Sequence, residues 1–254
     1  MPDVAHMVTG LQEHGCCVLP AYFSGATTSS ARWCAERVID EVESRGNRSQ
    51  ICGRVSFGQS DTSIRFEGNT LDSPRLAPLL ALVADGVFGA AARSHLGTTA
   101  RLERMVIHRA SASPVPLTDW HAGQERTGRR SVQVMIYLVP VHVSNGPFAY
   151  VLGSHHLVRE ITQHMVRVGG ANTEVHLLEQ IQRCARSHPL KGVAVAVDGL
   201  LQSVAEGEAA HAVTGPAGTA VLFDTAGVHR GGIVRRGQRL IVRAHYFELS
   251  SDRA

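Results

Sequence analysis

Short strand-like segments separated by turn residues constrain the fold of this chain more than any other feature. Five segments are rich in Val, Ile, Tyr and Phe, and they are Arg101–Arg109, Ser131–Val139, Pro147–Leu152, Thr219–Thr225 and Leu240–Glu248. Turn signals such as Ser144-Asn145-Gly146 and Arg236-Gly237 lie between them. Short strands punctuated in this way predict an all-β core of the sandwich or jelly-roll type.

Helices are predicted around this core. After a short N-terminal helix, a strand is expected over Cys16–Tyr22 and a helix over Ser29–Ser44, where apolar residues recur at helical spacing. A second helical stretch over Ser73–Leu96 contains internal glycines and is expected in two pieces. We expect residues 1–254 to form one domain, with a helical insertion at about 157–212 that covers the mouth of the barrel.

Composition excludes several classes of function. A net charge of +3 is too small to indicate a nucleic acid partner, and 5% aromatic residues are too few for base-stacking surfaces. No apolar stretch approaches the roughly 18 residues that predict a membrane span. The N-terminus lacks the basic start of a secretory signal, so we expect a cytoplasmic protein. The five cysteines have neither paired nor metal-binding spacing and are expected to be free thiols.

Two of the fourteen histidines lie next to predicted strands of the β core, a position that favours a metal ligand. His121 follows Asp119-Trp120 at the start of the predicted β core, and His229 follows the apolar strand Thr219–Thr225. Arg239 opens the final strand ten residues after His229. Imidazoles suit a non-haem iron, and a fixed guanidinium suits a carboxylate because it forms paired, charge-assisted hydrogen bonds.

The order of these motifs resembles the phytanoyl-CoA dioxygenase group of Fe(II)/2-oxoglutarate oxygenases along almost the whole chain. Trp120-His121 matches the first metal-ligand motif, Gly153-Ser154-His155 looks like a family turn, and His229 matches the distal ligand. Arg239 matches the arginine that binds the far carboxylate of 2-oxoglutarate, the alternative being a solvated charge at the strand end. His108 stands where the family often places a polar contact to 2-oxoglutarate, but a core or surface histidine explains it equally well. The resemblance implies a double-stranded β-helix, or jelly roll, that uses Fe(II), 2-oxoglutarate and O2 on a small-molecule substrate.

The first motif departs from the family pattern at one position. The family writes His-x-Asp, whereas this chain has His121-Ala122-Gly123, so glycine stands where the carboxylate ligand is usual. The same change marks the aliphatic halogenases of the superfamily, in which chloride takes the carboxylate's place and is transferred to a substrate radical. The resemblance therefore implies a halogenase that chlorinates an unactivated C–H bond, with Gly123 leaving room for the halide.

Four other interpretations stay open. The chain is an inactive relative, a non-catalytic binding module, a hydroxylase or related oxidase with an unusual third ligand, or a three-histidine enzyme that does not use 2-oxoglutarate. The candidates for a third ligand are Asp119, Glu125, Asp224, His155, His156, His211 and His245.

Basic residues cluster near the motifs, at Arg126, Arg129, Arg130, Arg235 and Arg236. Such a cluster usually forms only a solvated face. The functional alternative is an anionic substrate, such as a nucleotide, an acyl carrier or an amino acid carboxylate. These residues do not distinguish a free substrate from a carrier-bound one.

Overall fold

The computed structural model describes residues 3–45, 53–58, 60–97, 99–114, 119–123, 129–167, 178–186, 188–207 and 210–249. In these residues the α-helices are α1 (Val4–Glu13), α2 (Gly25–Arg45), α3 (Ala77–Val83), α4 (Gly86–Leu96), α5 (Ser154–Arg167), α6 (Leu178–Arg186) and α7 (Lys191–Glu206). The strands are β1 (Cys16–Leu19), β2 (Arg54–Phe57), β3 (Asp61–Glu67), β4 (Arg101–Ser111), β5 (Ser131–Tyr137), β6 (Phe148–Val151), β7 (Ala210–Val213), β8 (Ala220–Asp224), β9 (His229–Gly231) and β10 (Gln238–Phe247).

Two antiparallel sheets form the jelly roll that the sequence predicted. The larger sheet has seven strands in the order β1-β8-β5-β10-β4-β3-β2, and the smaller has three in the order β7-β6-β9. Neighbours in the larger sheet are far apart in sequence, as in the pairing of β10 with β4 and β5. This connectivity brings segments from both halves of the chain to one interior.

Strand β10 separates a helix-covered face of the large sheet from an inner face. Leu240 and Val242 are fully buried in the cluster formed with α1–α4. Ile241 packs instead with residues of the smaller sheet. Because side chains alternate along a strand, Arg239 and Arg243 share the inner face with Ile241. The interior of the jelly roll therefore carries cations as well as apolar groups.

The helical layer on the outer face is apolar and tightly packed. Leu11 of α1, Leu79 of α3 and Phe88 of α4 are fully buried against the large sheet. Within the described residues, no single helix is long and apolar enough to cross a membrane; Pro74–Val83 and Gly86–Leu96 meet that test only as a pair bent by 57°. The described cysteines are free thiols, as expected, and Cys52 lies outside the described residues.

Strands β2, β3, β7 and β9 lie outside the predicted strand segments. In β3 only Thr62, Ile64 and Phe66 are buried, and polar residues occupy the alternate positions. Those alternate positions face the polar interior, so the strand lacks the apolar character on which the prediction depended. The stretch Ser73–Leu96 is divided into α3 and α4 as expected, and Asp85 caps α4 through the backbone N–H of Val87.

Helices α5–α7 lie between β6 and β7, in the segment predicted as an insertion. They form a separate apolar cluster that includes Ala122 and Val228. These two residues are the chain neighbours of His121 and His229. The segment thus packs against the backbone that carries both histidines, while its covering of the barrel mouth stays a prediction.

Candidate metal and cosubstrate site

The backbones of His121 and His229 are joined by two hydrogen bonds. The N–H of His121 donates to the carbonyl of His229 at 3.0 Å, and the N–H of His229 donates to the carbonyl of His121 at 2.8 Å. The centroids of the two imidazole rings lie 4.3 Å apart. A bridge between β9 and the segment before Gly123 therefore brings together the two histidines selected from sequence.

Hydrogen bonds to backbone carbonyls orient both rings. Nδ1 of His121 lies 2.8 Å from the carbonyl oxygen of Asp119, and Nδ1 of His229 lies 2.8 Å from that of Gly227. A carbonyl can only accept, so each Nδ1 carries the proton and each Nε2 carries a lone pair. Burial, followed by the neighbouring His121, lowers the pKa of His229 to about 3 and keeps that ring neutral. This is the arrangement in which metal-binding histidines are usually held.

The loop before His229 is fixed by contacts that the sequence did not reveal. A Cβ on Gly227 would lie 1.8 Å from Oη of Tyr150, so only glycine fits there. The Tyr150 hydroxyl donates to the carbonyl of Asp224 at 3.0 Å. Ser154, in the Gly-Ser-His turn, accepts the N–H of Val228 at 2.8 Å. The turn that resembles the family motif thus supports the backbone on which His229 stands.

Gly123 is not required by the backbone. Its N–H donates to the carbonyl of Thr225 at 2.7 Å. Among the described residues, a Cβ added to it would meet only the carbonyl oxygen and Cβ of Thr225, at 3.7 and 3.9 Å, which is ordinary contact. Ala122 is buried towards α5–α7, so by alternation the side positions of His121 and Gly123 face away from those helices. The site has space at position 123 for a side chain or for another group.

The candidate third ligands do not join the histidine pair within the described residues. No group of three His, Cys, Asp or Glu side chains that could hold a metal is present in that part of the chain. The carboxylate of Asp224 is bonded to His95 at 2.6 Å and to Arg159, on the helix-facing side of β8. Nε2 of His155 lies 3.2 Å from the carbonyl of Gln12. Glu125 lies outside the described residues.

Arg239 is a buried cation on the inner face of the sheet. It is only 3% exposed, and its Nη1 donates to the carbonyl of Gly146 at 2.6 Å. Its Nε is buried and has no hydrogen-bond partner among the described residues. Burial lowers the pKa of Arg239 to about 10, so the group is still charged at neutral pH. A buried guanidinium with an unused donor is suited to bind a carboxylate.

His108 lies beside Arg239, as its proposed contact to 2-oxoglutarate requires. Arg239 pairs with Ala110 in the register of β10 and β4, two residues from His108. Nε2 of His108 lies 3.0 Å from Oδ2 of Asp61, a residue that no sequence motif indicated. Burial lowers the pKa of His108 to about 4, despite the opposing effect of Asp61. His108 therefore presents a neutral ring next to the Arg239 cation.

Two of the basic residues selected for an anionic substrate support the fold instead. Arg129 donates to Glu103 at 2.7 and 3.0 Å and to the carbonyl of Glu248. Arg130 donates to the carbonyls of His95 and Leu96, at the C-terminal end of α4. The others are Arg235 and Arg236, which are exposed, and Arg126, which lies outside the described residues.

Comparisons with known proteins identify the family and the fold of the chain. The family model for phytanoyl-CoA dioxygenase (PhyH) matches residues 11–239. The epimerase SnoN, solved with Fe3+, alpha ketoglutarate and nogalamycin RO, is 16% identical with a TM-score of 0.62, over 96% of this chain and 83% of that one. EctD from S. alaskensis with bound Fe is 20% identical with a TM-score of 0.64, over 96% and 76%.

A third structure, HygX from Streptomyces hygroscopicus with nickel and 2-oxoglutarate bound, is 18% identical with a TM-score of 0.58, over 95% of this chain and 85% of that one. At these identities the likeness shows the fold. No functionally curated protein matches the chain.

Proposed function

The chain belongs to the phytanoyl-CoA dioxygenase family and is an Fe(II)/2-oxoglutarate-dependent oxygenase, and from that premise we propose that it is a halogenase. Nε2 of His121 and Nε2 of His229 would bind the iron. Arg239 would bind the far carboxylate of 2-oxoglutarate, with His108 as a further polar contact. Chloride would occupy the iron position that the family gives to a carboxylate. The substrate would be a small molecule with an unactivated C–H bond.

The proposal depends on the space beside Gly123, where the family usually has a carboxylate side chain. Position 123 has room for a Cβ, so the absence of a side chain there is not forced by packing. Two neutral imidazoles contribute no negative charge to the metal, and glycine contributes none in place of the usual aspartate. A halide would restore both the ligand and the charge. Position 123 is where a halogenase would differ from a hydroxylase, because the histidine pair and Arg239 would serve both.

The residues of the chain position the reactants. The carbonyls of Asp119 and Gly227 accept hydrogen bonds from the Nδ1 atoms of the two imidazoles and so set the orientation in which each ring would present Nε2 to a metal. Arg239 would hold one end of 2-oxoglutarate and so set the direction in which it reaches the metal. With iron, 2-oxoglutarate and O2 bound, the site has the oxidising power to remove hydrogen from a C–H bond. Natural-product biosynthesis is a fitting context, since the structurally similar epimerase SnoN belongs to nogalamycin biosynthesis.

Halide binding can be tested without knowing the substrate. We expect chloride to shift the weak visible band of the anaerobic Fe(II)–2-oxoglutarate complex with a saturable dependence, and bromide to do the same, because either anion would enter the iron's coordination shell. Absorption titration in halide-free buffer is the measurement, with perchlorate as the control for ionic strength. An absorption band that does not shift at saturating chloride or bromide would favour a hydroxylase whose third ligand comes from the protein. Glu125 would then be the first residue to replace.

Arg239→Lys is expected to raise the apparent KM for 2-oxoglutarate by more than about tenfold, or about 1.4 kcal/mol. Lysine keeps the charge but loses the planar fork, and it leaves the carbonyl of Gly146 with a less well-placed donor. Steady-state consumption of 2-oxoglutarate measures the effect. Arg75→Lys is the matched control, because Arg75 is exposed and pairs with Glu41 on the surface. An unchanged KM would show that another cation binds the cosubstrate.

A further inference from the structure

Four polar atoms remain without hydrogen-bond partners on the inner face of the large sheet. They are Nε of Arg243, Nδ1 and Nε2 of His245, and Oε1 of Gln133, and all are buried and lack a partner among the described residues. His245 is 6% exposed as a whole. Unpaired buried polar atoms cost free energy, so native proteins keep few of them without a reason. Four in one place indicate a missing ligand.

The sheet register places these side chains together. His245 pairs with Gln133 across β10 and β5, and directly paired residues lie on the same face. Arg243 is two residues from His245 on the same strand, so it also faces inward. The three residues therefore line one patch of the interior.

The patch adjoins the proposed metal ligands. Gln133 pairs with Phe223 across β5 and β8. The ring of Phe223 lies 5.0 Å from that of His229. One step across the sheet therefore leads from the wall of the metal site to Gln133, and a second leads to His245. A substrate held by this patch would lie near the reacting centre.

The charge of the patch is positive. Arg243 lies close enough to Arg239, Arg65 and Arg104 for their charges to lower its pKa, after the larger effect of burial, to about 10. The carboxylate of Glu67 lies on the same sheet, but it is engaged by Arg104 and lies 3.8 Å from Arg65. Arg243 therefore offers a charged donor, while His245 and Gln133 supply uncharged donor and acceptor atoms.

We propose that Arg243, His245 and Gln133 bind an anionic group of the substrate, a carboxylate, phosphate or sulfonate that carries a neighbouring hydroxyl or amino group. The guanidinium of Arg243 would hold the anion, and Oε1 of Gln133 would accept from the neighbouring group. This subsite deepens the proposed function and rests on it, since the anion would position a C–H bond beside the iron. Arg243 would thus be the protein cation that binds the anionic group of the substrate. Arg129 and Arg130 do not take this role, because they donate hydrogen bonds within the fold.

A carboxylate could come from the substrate or from 2-oxoglutarate itself, and one titration separates the two sources. The anaerobic enzyme, with iron and saturating 2-oxoglutarate, is titrated with sodium sulfate as the anion probe, at an ionic strength held with perchlorate. Calorimetry follows sulfate binding, and the visible band follows 2-oxoglutarate. We expect the wild type to bind one sulfate saturably, and Arg243→Gln to weaken that binding at least about tenfold while 2-oxoglutarate half-saturation is unchanged.

His245→Phe keeps the buried volume and removes both ring nitrogens, so it should also weaken sulfate binding and gives a second variant if Arg243→Gln fails to fold. Arg75→Gln is the matched control and should bind sulfate as the wild type does. Equal sulfate affinity in wild type and both variants would mean an adventitious ion only and would overturn the subsite. A rise of 2-oxoglutarate half-saturation in Arg243→Gln would overturn it in favour of the cosubstrate. If the wild type fails to form the visible band, the proposed function is contradicted. The subsite is still tested in that case, because calorimetry reports sulfate binding independently of the band.

Discussion

Gly123→Asp is expected to abolish chlorination while iron binding is kept or strengthened. The new carboxylate would stand where the family carries its third ligand and would displace the halide from the metal. The backbone should accept the change, because a Cβ at position 123 meets Thr225 only at 3.7 and 3.9 Å. The variant should then hydroxylate the same substrate or consume 2-oxoglutarate without product. The second outcome is expected if the carboxylate is misplaced by about 1 Å, which can cost roughly two orders of magnitude in rate.

Gly123→Ala is the matched control for this substitution. Alanine adds the same Cβ but no ligand, and His-x-Ala is the other form of the motif that aliphatic halogenases carry. Mass spectrometry of products formed with and without chloride should therefore find the chlorinated product with alanine and lose it with aspartate. Chlorination that survives in Gly123→Asp would contradict a halide site at this position. Wild-type enzyme that gives only hydroxylated product at saturating chloride would remove the halogenase proposal but leave the iron site standing.

His121→Ala and His229→Ala are each expected to abolish tight Fe(II) binding and the visible band of the anaerobic Fe(II)–2-oxoglutarate complex. Without a protein carboxylate, the two imidazoles would be the only side-chain ligands, so losing one removes half of them. The fold should survive, because the two residues pair through backbone N–H and carbonyl groups that alanine retains. Equilibrium dialysis of iron and anaerobic absorption measure both effects.

His211→Ala is the control for these variants, since His211 is exposed on β7 and was itself a candidate ligand of a three-histidine site. It should bind iron as the wild type does. Retention of the full band in both His121→Ala and His229→Ala would remove the metal assignment. Loss of iron binding in His211→Ala would instead revive the three-histidine alternative.

Sequence was sufficient for the strands in which branched and aromatic residues predominate between turn signals. Strands β4, β5, β6, β8 and β10 lie within about two residues of the predicted segments, although polar side chains interrupt the apolar pattern on the inner face of three of them. Strand β3 escaped prediction because Asp61, Ser63 and Arg65 occupy alternate positions along it. Polar residues at the positions that face the interior interrupt the apolar pattern, so a strand of this kind is not recognised from its sequence.

Motif spacing selected His121, His229 and Arg239, but it could not select the residues that support them. Asp61 contacts His108 across 47 residues of sequence, and Tyr150 contacts the backbone of Asp224 across 74. Contacts of that range depend on sheet register, which no local pattern encodes. Arg129 and Arg130 show the opposite error, since clustered charge near a motif proved to support the fold.

Anomalous diffraction from bromide tests the halide site most directly. Crystals are grown without oxygen in Fe(II), 2-oxoglutarate and bromide, and data are collected at the bromine absorption edge. We expect one anomalous peak bonded to an iron that His121, His229 and 2-oxoglutarate also bind, on the side of Gly123. An iron with no bromide peak and a protein carboxylate, such as that of Glu125, in the same position would contradict the halogenase account.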